Sequence, residues 1–393
     1  SVKDLTREAV TAALEDAGAD IPQIESAYFA SAATGALQGQ HSIAGQIALR
    51  NMGFEGIPMF NLENACASGS SAFNLAVQCI RAGEGDIALA VGVEKMYVED
   101  KSRMLSVFDS GWDVETIEEN QRTLLSLGEG VEVPPGGDSD KPRSVFMDVY
   151  AAFTRQHMKK FGTTQRQIAA VSAKNHHHSV HNINAQYRQS LSVEEVLASP
   201  AIAYPLTMPM CSPISDGAAA AVVCNEKGLK KLKVDRSRAI KVLATVTQTG
   251  SSRDPDDHEN HLTARAARKL YEKAGVGPES VDVAEVHDAT AMGEIIQVEN
   301  LGLVPFGEGG PAAERGDFSI GGRVPVNPSG GLESRGHPVG ATGLAQIHEL
   351  VTQLRGEAGE RQVEGARIAL QENGGGLYGY EEAIAVLSLF GRQ

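Results

Sequence analysis

The sequence predicts an α/β fold made of two similar halves, with a further segment inserted between them. Three observations point there. Residues 5–32, "LTREAVTAALEDAGADIPQIESAYFASA", match residues 262–289, "LTARAARKLYEKAGVGPESVDVAEVHDA", without a gap. The two share Leu-Thr, an Ala-Gly turn and a helix–loop–strand pattern. Each half then continues alike through a small-residue turn, a helix, a glycine turn and an apolar strand, as in "CASGSSAFNLAVQ" with "GDIALAVGV" and "GHPVGATGLAQIHELVTQL" with "GARIALQENGGG". Between the halves the repeat breaks into the polar "VEVPPGGDSDKPRS" and the helical "SVFMDVYAAFTRQHMKKFG", too long for a connection and too patterned for a linker. The expected division is residues 1–95 with 205–235 as the N-terminal half, 96–204 as an insertion covering the site, and 236–393 as the C-terminal half.

Taken in order, the opening "LTREAVTAALEDAG" reads as an amphipathic helix stopped by Gly18, followed by the strand "SAYFASA". The run "SAFNLAVQCIRAGEGDIALAVGV" reads as a helix, a turn at Gly83 and Gly85, and an apolar strand buried on both faces. In the second half, "VAEVHDATA" ends the strand equivalent to "SAYFASA". The closing "ENGGGLYGYEEAIAVLSL" is a glycine-rich turn before a buried strand.

Composition narrows the function classes. A net charge of −15 argues against nucleic acid or an anionic membrane as partner, though not against an anionic small molecule met by a local basic patch. Cys66, Cys79, Cys211 and Cys224 show no CxxC spacing, which fits reduced thiols in the cytoplasm. No apolar run of about 18 residues suggests a membrane span, and no signal peptide is expected.

Cys66 stands in "ENACASGSSA", flanked by small residues, with Gly69 there for close backbone approach or a positive φ. It falls at or just before a helix N-terminus, which favours a thiolate. A small buried core cysteine is the competing reading. His287 lies at a strand end, where open α/β sheets place ligands; it is either functional or simply hydrogen-bonded to Asp288. His337 stands in "NPSGGLESRGHPVGATG", a loop so rich in glycine and proline that the backbone is bent around the imidazole just before a helix. There it is either a base or a turn histidine. The run "KNHHHSVHN" (His176, His177, His178, His181) lacks the dispersed partners of a structured metal site and is expected to be a solvated helix end. "DPDDHEN" is expected to be an exposed acidic loop. One nucleophilic cysteine, two histidines on separate loops and a glycine-rich turn offering N–H donors to an oxyanion make a coherent acyl-transfer site, with no metal.

Those residues, with "SPISDGAAAAVV" and "NPSGGLESRGHPVGATGLAQ", resemble the thiolase superfamily over almost the whole chain, specifically the sterol-carrier-protein-2-type branch (non-specific lipid-transfer protein-like). The resemblance implies a five-layer αβαβα thiolase fold, an acyltransferase using coenzyme A as co-substrate with no other cofactor, and a homodimer. It implies Cys66 as acyl acceptor and oxyanion-hole donor, His337 as its activator, and His287 as the group binding the thioester oxygen. Gly375 matches the oxyanion glycine. Three departures matter. Ala289 occupies the place where the branch carries a second acid/base cysteine. Asn373 falls about where other thiolases carry one in a C-terminal CxG. The sequence given opens at the helix "SVKDLTREAV" rather than at the family's customary strand. A histidine, a glutamate such as Glu372, or the substrate itself is expected to fill the acid/base gap. The expected function is CoA-dependent thiolysis of a bulky 3-oxoacyl-CoA, possible substrates being aromatic or steroid-derived, in lipid or aromatic compound degradation. The alternatives are a retro-aldolase or an acyl-CoA-binding scaffold working with a small zinc-ribbon/OB-fold (DUF35-type) subunit.

Overall fold

The protein is described by a computed structural model covering residues 1–392. The first helix, α1 (Val2–Ala17), is set by its ends: Ser1 and Asp4 form a capping box, and Gly18 closes it at φ 59°. One face, carrying Val10 and Leu14, is buried. It packs against a sheet whose strands are β1 (Ser26–Ala30), β2 (Met59–Leu62), β3 (Ile87–Glu94) and, beyond the insertion and a small hairpin of β4 (Ala201–Ala203) and β5 (Leu206–Thr207), β6 (Gly217–Cys224). The order is β2-β1-β3-β6, parallel across β2, β1 and β3 and antiparallel at β6. All eight residues of β3 are buried, as the unbroken "IALAVGVE" requires of a strand covered on both faces.

The second half repeats the scheme. β7 (Lys241–Thr249) precedes α2 (Leu262–Ala274) and β8 (Val283–Glu285), and β9 (Ile368–Gly375) and β10 (Ile384–Gly391) complete a sheet of order β7-β10-β9-β8. Here β8 and β9 are parallel and β10 antiparallel to β9, matching β1, β3 and β6. "ENGG", expected in a glycine turn, lies within β9, and the turn begins at Gly376.

Two helices lie between the sheets: α3 (Ser68–Ala82) from the first half and α4 (Thr342–Arg355) from the second. Their apolar residues, among them Phe73, Val77, Leu344 and Ile347, share one cluster with Tyr28 and Ala88 of the first sheet and Val283 and Phe390 of the second. With α1 and α2 outside, the layers run helix, sheet, helix, sheet, helix. Close approach explains the small residues at the centre. A Cβ on Gly69 would lie 2.8 Å from Gly340 O, and one on Gly343 would overlap Ser70 Oγ.

The segment between the halves is mostly helical. Its helices α5 (Val145–Phe161) and α6 (Gln165–His178) join the cluster beneath the second half, with Tyr150 and Ile168 beside Ile295 and Val298. The histidine run is therefore not a solvated helix end. His177 and His181 are exposed, but His176 and His178 are buried. Residues 327–334 pack over the end of α6: the His178 ring contacts Asn327 O at 3.0 Å through Nδ1 and accepts from Ile320 N–H at 3.1 Å through Nε2. Chain-local patterning misses this because the cover comes from more than a hundred residues away. "DPDDHEN" is largely exposed. No helix among the described residues is long and apolar enough to cross a membrane.

Candidate active site

The loop from β2 to α3 carries Cys66. Ala65, immediately before it, is held at φ 48°, a region that alanine rarely enters and that needs surrounding structure to sustain it. That structure is at hand. Ser68 Oγ accepts from Asn64 N–H at 2.8 Å and donates to Ala65 O at 2.6 Å, and Asn64 Nδ2 donates to Ser71 Oγ. From the other side Gly375 comes so close that a Cβ would overlap Asn64 O and lie 2.8 Å from Ala67 N. Gly69 supplies close approach; the positive φ belongs to Ala65.

His337 arrives on a loop that follows the short helix α7 (Gly331–Arg335), through Gly336 at φ 113°. Its backbone N–H donates to Ser215 Oγ (3.0 Å), tying it to the "SPISDG" turn. The imidazole Nε2 stands 3.3 Å from Cys66 Sγ, and Nδ1 stands 2.7 Å from Thr342 Oγ1. Because the Thr342 hydroxyl donates to Pro338 O at 3.2 Å, its oxygen accepts from Nδ1–H, and Nε2 presents a lone pair to the thiol. Glu94, wholly buried at the end of β3, braces the His337 loop against the turn after β1 by accepting from the N–H groups of Ala33, Thr34 and Gly340.

His287 completes the group: the donor atoms of Cys66, His287 and His337 all lie within 4.8 Å of one another. His287 is not held by Asp288. Asp288 accepts from Leu332 N–H (2.8 Å) and from Asn175 Nδ2, which also bridges Glu294 and Glu333, so it fastens the two histidine loops together. Both ring nitrogens of His287 lack a partner among the described residues, while its backbone N–H donates to Glu372 Oε2 (2.9 Å).

The charge state follows from burial. Desolvation, with the Glu94 and Glu63 carboxylates adding to it, pushes the Cys66 thiol up to about 12. Burial, helped by His287 and Arg335, holds His337 well below the ordinary imidazole range, and burial brings His287 down to about 4. The resting pair is thus a neutral thiol facing a neutral imidazole, which corrects the expectation of a thiolate favoured by the helix terminus. Such a pair reacts by handing the proton to Nε2 as sulfur attacks.

Cys66, His287, His337, Ala289 and Gly375 line a cavity of about 720 Å³. Its walls are largely apolar, with Phe108, Phe146, Met147 and Leu191 from the inserted segment. Asn373 is not among the lining residues; Ser70 Oγ donates to its Oδ1 at 2.8 Å, beneath the start of α3. Glu372 likewise lies behind His287 rather than in the cavity wall. Thr342, Glu94 and Glu382 were not singled out from sequence. Thr342 had a visible signal, a hydroxyl five residues after the histidine in "HPVGAT".

Residues 1–227 match the family described as "Thiolase, N-terminal domain", and residues 244–388 match "Thiolase C-terminal domain-like". The chain belongs to the thiolase family. As a thiolase it is an acyltransferase whose family uses coenzyme A as a substrate. It is 38% identical over 395 residues to an acetyl-CoA acetyltransferase of Methanothermobacter thermautotrophicus, covering 100% of this chain and 95% of that protein. It is 39% identical to human sterol carrier protein 2, covering 94% of this chain but only 65% of that protein, and 33% identical to the benzoylsuccinyl-CoA thiolase subunit BbsB of Thauera aromatica, covering 95% and 89%. Among solved structures it is similar to an Ltp2-ChsH2(DUF35) aldolase (TM-score 0.75, 20% identity, 100% of this chain and 93% of that one) and to the Ascaris suum Acat5 thiolase in complex with coenzyme A (TM-score 0.67, 19% identity, 100% and 94%). At those identities the likeness is one of fold, and this thiolase shares it along its whole length.

Proposed function

We propose that this thiolase cleaves a bulky 3-oxoacyl-CoA by thiolysis through an acyl thioester on Cys66. The observation that carries the reading is the Cys66 Sγ–His337 Nε2 contact of 3.3 Å, with the tautomer set by Thr342, at the edge of a roomy apolar cavity. In this reading His337 takes the thiol proton as sulfur attacks the 3-carbonyl carbon. The Cα–Cβ bond breaks, and its electron pair stays on the acyl-CoA as an enolate. Neutral His287, whose ring has no partner among the described residues, donates to the thioester oxygen that carries this charge, and the Cys66 loop with Gly375 receives the other oxyanion. Asn373 acts through Ser70, steadying the start of α3. Coenzyme A then takes the acyl group.

The similarity to BbsB and the size of the cavity favour a large, aromatic or steroid-derived acyl group. We further propose the division into residues 1–95 with 205–235, 96–204 and 236–393, a homodimer, and a DUF35-type zinc-ribbon/OB-fold partner, the last motivated by the fold shared with the Ltp2-ChsH2(DUF35) aldolase. The test is to offer linear, aromatic and steroid 3-oxoacyl-CoAs and follow intact mass: the acyl adduct forms on the wild type and is missing in Cys66→Ala. CoA-dependent turnover by Cys66→Ala would overturn the reading. Cleavage that releases a ketone or aldehyde and continues without CoA would favour the aldolase alternative.

A further inference from the structure

We propose that Glu382 is the second acid and base of this site, exchanging a proton with the departing carbon and the incoming sulfur, and that His261 is the residue that positions it. The proposal rests on the thiolysis reading above. Thiolysis needs two proton carriers, because the thiol proton occupies His337 while the enolate still requires one. Ala289 supplies none. Among the other ionisable groups around the cavity, Tyr150 is raised well above the ordinary phenol range by burial, Cys211 is raised likewise, and the ring nitrogens of His176 are engaged by Pro209 O and Ser334 Oγ. Glu63 is exposed, and its Oε1 accepts from Ala65 N–H.

Glu382 lies in the turn between β9 and β10 and lines the cavity beside Gly375 and Gly376. Its side chain folds back over Gly374, where a Cβ would lie 2.9 Å from its Cγ and 3.3 Å from its carboxyl carbon. Two of the three glycines thus divide the work: Gly375 admits the Cys66 loop and Gly374 admits this carboxyl. Gln297 Nε2 donates to Oε1 at 2.9 Å, and His261 Nε2 stands 3.4 Å from Oε2. His261 Nδ1 accepts from Thr263 N–H (3.2 Å), with Asn300 Nδ2 3.1 Å away, so the ring proton sits on Nε2 and faces the carboxyl. The neighbouring Glu381 does not compete, being paired with Arg253 (2.6 Å) and accepting from Leu262 N–H. The groups acting on Glu382 are therefore His261, Gln297, Arg253, Glu381, Glu372 of β9, Tyr150 of α5 and Cys66. Burial, with Glu381 adding to it, outweighs Arg253 and Gln297 and brings the carboxyl up to about 7, where it is able both to give and to take a proton near neutrality.

The steps balance. Protonated Glu382 gives its proton to the enolate carbon, releasing the shortened acyl-CoA and leaving a carboxylate. The carboxylate takes the proton of the CoA thiol as that sulfur attacks the acyl-Cys66 carbonyl. The carbon–Cys66 sulfur bond then breaks, and Cys66 sulfur recovers its proton from His337.

The experiment uses p-nitrophenyl acetate, whose leaving group departs without a proton, to load Cys66 with acetyl. CoA is then added and acetyl-CoA formation is timed from pH 5.5 to 9. In the wild type the transfer rate rises through about pH 7 as the carboxyl ionises. Glu382→Gln still releases the nitrophenolate burst, transfers acetyl to CoA at least about 100-fold more slowly, loses the rise near 7, and no longer exchanges the acetyl-CoA α-hydrogens in D2O. Glu382→Asp recovers part of the transfer. His261→Gln, lacking the imidazole N–H facing the carboxylate, moves the rise to higher pH. Transfer by Glu382→Gln within about three-fold of wild type, an unchanged pH profile, loss of the burst as well, or a requirement that falls on Cys211→Ser instead would each overturn the proposal. A burst that persists in Cys66→Ala would instead sink the thiolysis reading beneath it.

Discussion

Replacing Thr342 by valine tests whether the hydroxyl behind His337 sets the chemistry in front of it. Valine keeps the shape, but removes the oxygen that accepts from His337 Nδ1–H at 2.7 Å and donates to Pro338 O. The ring is buried, so an unpaired Nδ1–H costs about 1–3 kcal/mol. The imidazole escapes that cost by moving its proton to Nε2, which then points a hydrogen rather than a lone pair at Cys66. Either way the reactive tautomer loses about 1.4–2.8 kcal/mol, which is a factor of roughly 10–100 in the acylation rate. Thr342 does not line the cavity, so substrate affinity should change little. The assay is the p-nitrophenyl acetate burst by stopped flow, with a thermal melt to confirm folding. Thr342→Ser, which keeps the hydroxyl, should stay within about three-fold of wild type. A valine variant within two-fold of wild type would refute the reasoning. A serine variant slowed while valine stays near wild type would point to methyl packing instead.

Alkylation of Cys66 by iodoacetamide should keep accelerating above pH 9 and show no plateau near pH 7, because the thiol is held up to about 12 and its anion is scarce until far above neutrality. A plateau reached by pH 7 would mean a resting thiolate–imidazolium pair. Gly92→Ala should lower stability by about 1–3 kcal/mol in urea unfolding, since its Cβ would overlap Gly340 O and lie 2.8 Å from Ala341 Cα, both backbone atoms of the turn after His337. An alanine variant as stable as wild type would show that the turn yields freely.

Much of the fold was legible because it is repeated. The matching helix–loop–strand segments at residues 5–32 and 262–289 became α1 with β1 and α2 with β8, and the glycine loops holding Cys66 and His337 met across 271 positions of sequence. Residues whose partners are distant were not legible. Ala65 has no local reason for a positive φ; the reason is the serine network and Gly375 pressing from the other half. His176 and His178 look like a solvated run until residues 327–334 cover them. Glu382 is one of two adjacent glutamates, and only tertiary structure shows Glu381 paired with Arg253 while Glu382 borders the cavity and meets Gln297 and His261.

The thiol's charge was misread for a different reason, which a comparison of magnitudes exposes. A helix terminus favours an anion by about 0.3–1 kcal/mol, and by about 2 kcal/mol in the best partly buried cases. Raising a thiol from its ordinary range to about 12 corresponds to roughly 4 kcal/mol against the anion, and here burial acts together with Glu94 and Glu63. Desolvation therefore wins, although Cys66 does precede α3 as expected. Glu94 cannot be removed to relieve it, since it holds the turn after β1 and the turn after His337 through Ala33, Thr34 and Gly340. In the proposed mechanism, a site built this way keeps Cys66 protonated until substrate brings a carbonyl to it. Reactivity then depends on the proposed base rather than on the thiol, which in that mechanism places the weight on the His337–Thr342 hydrogen bond.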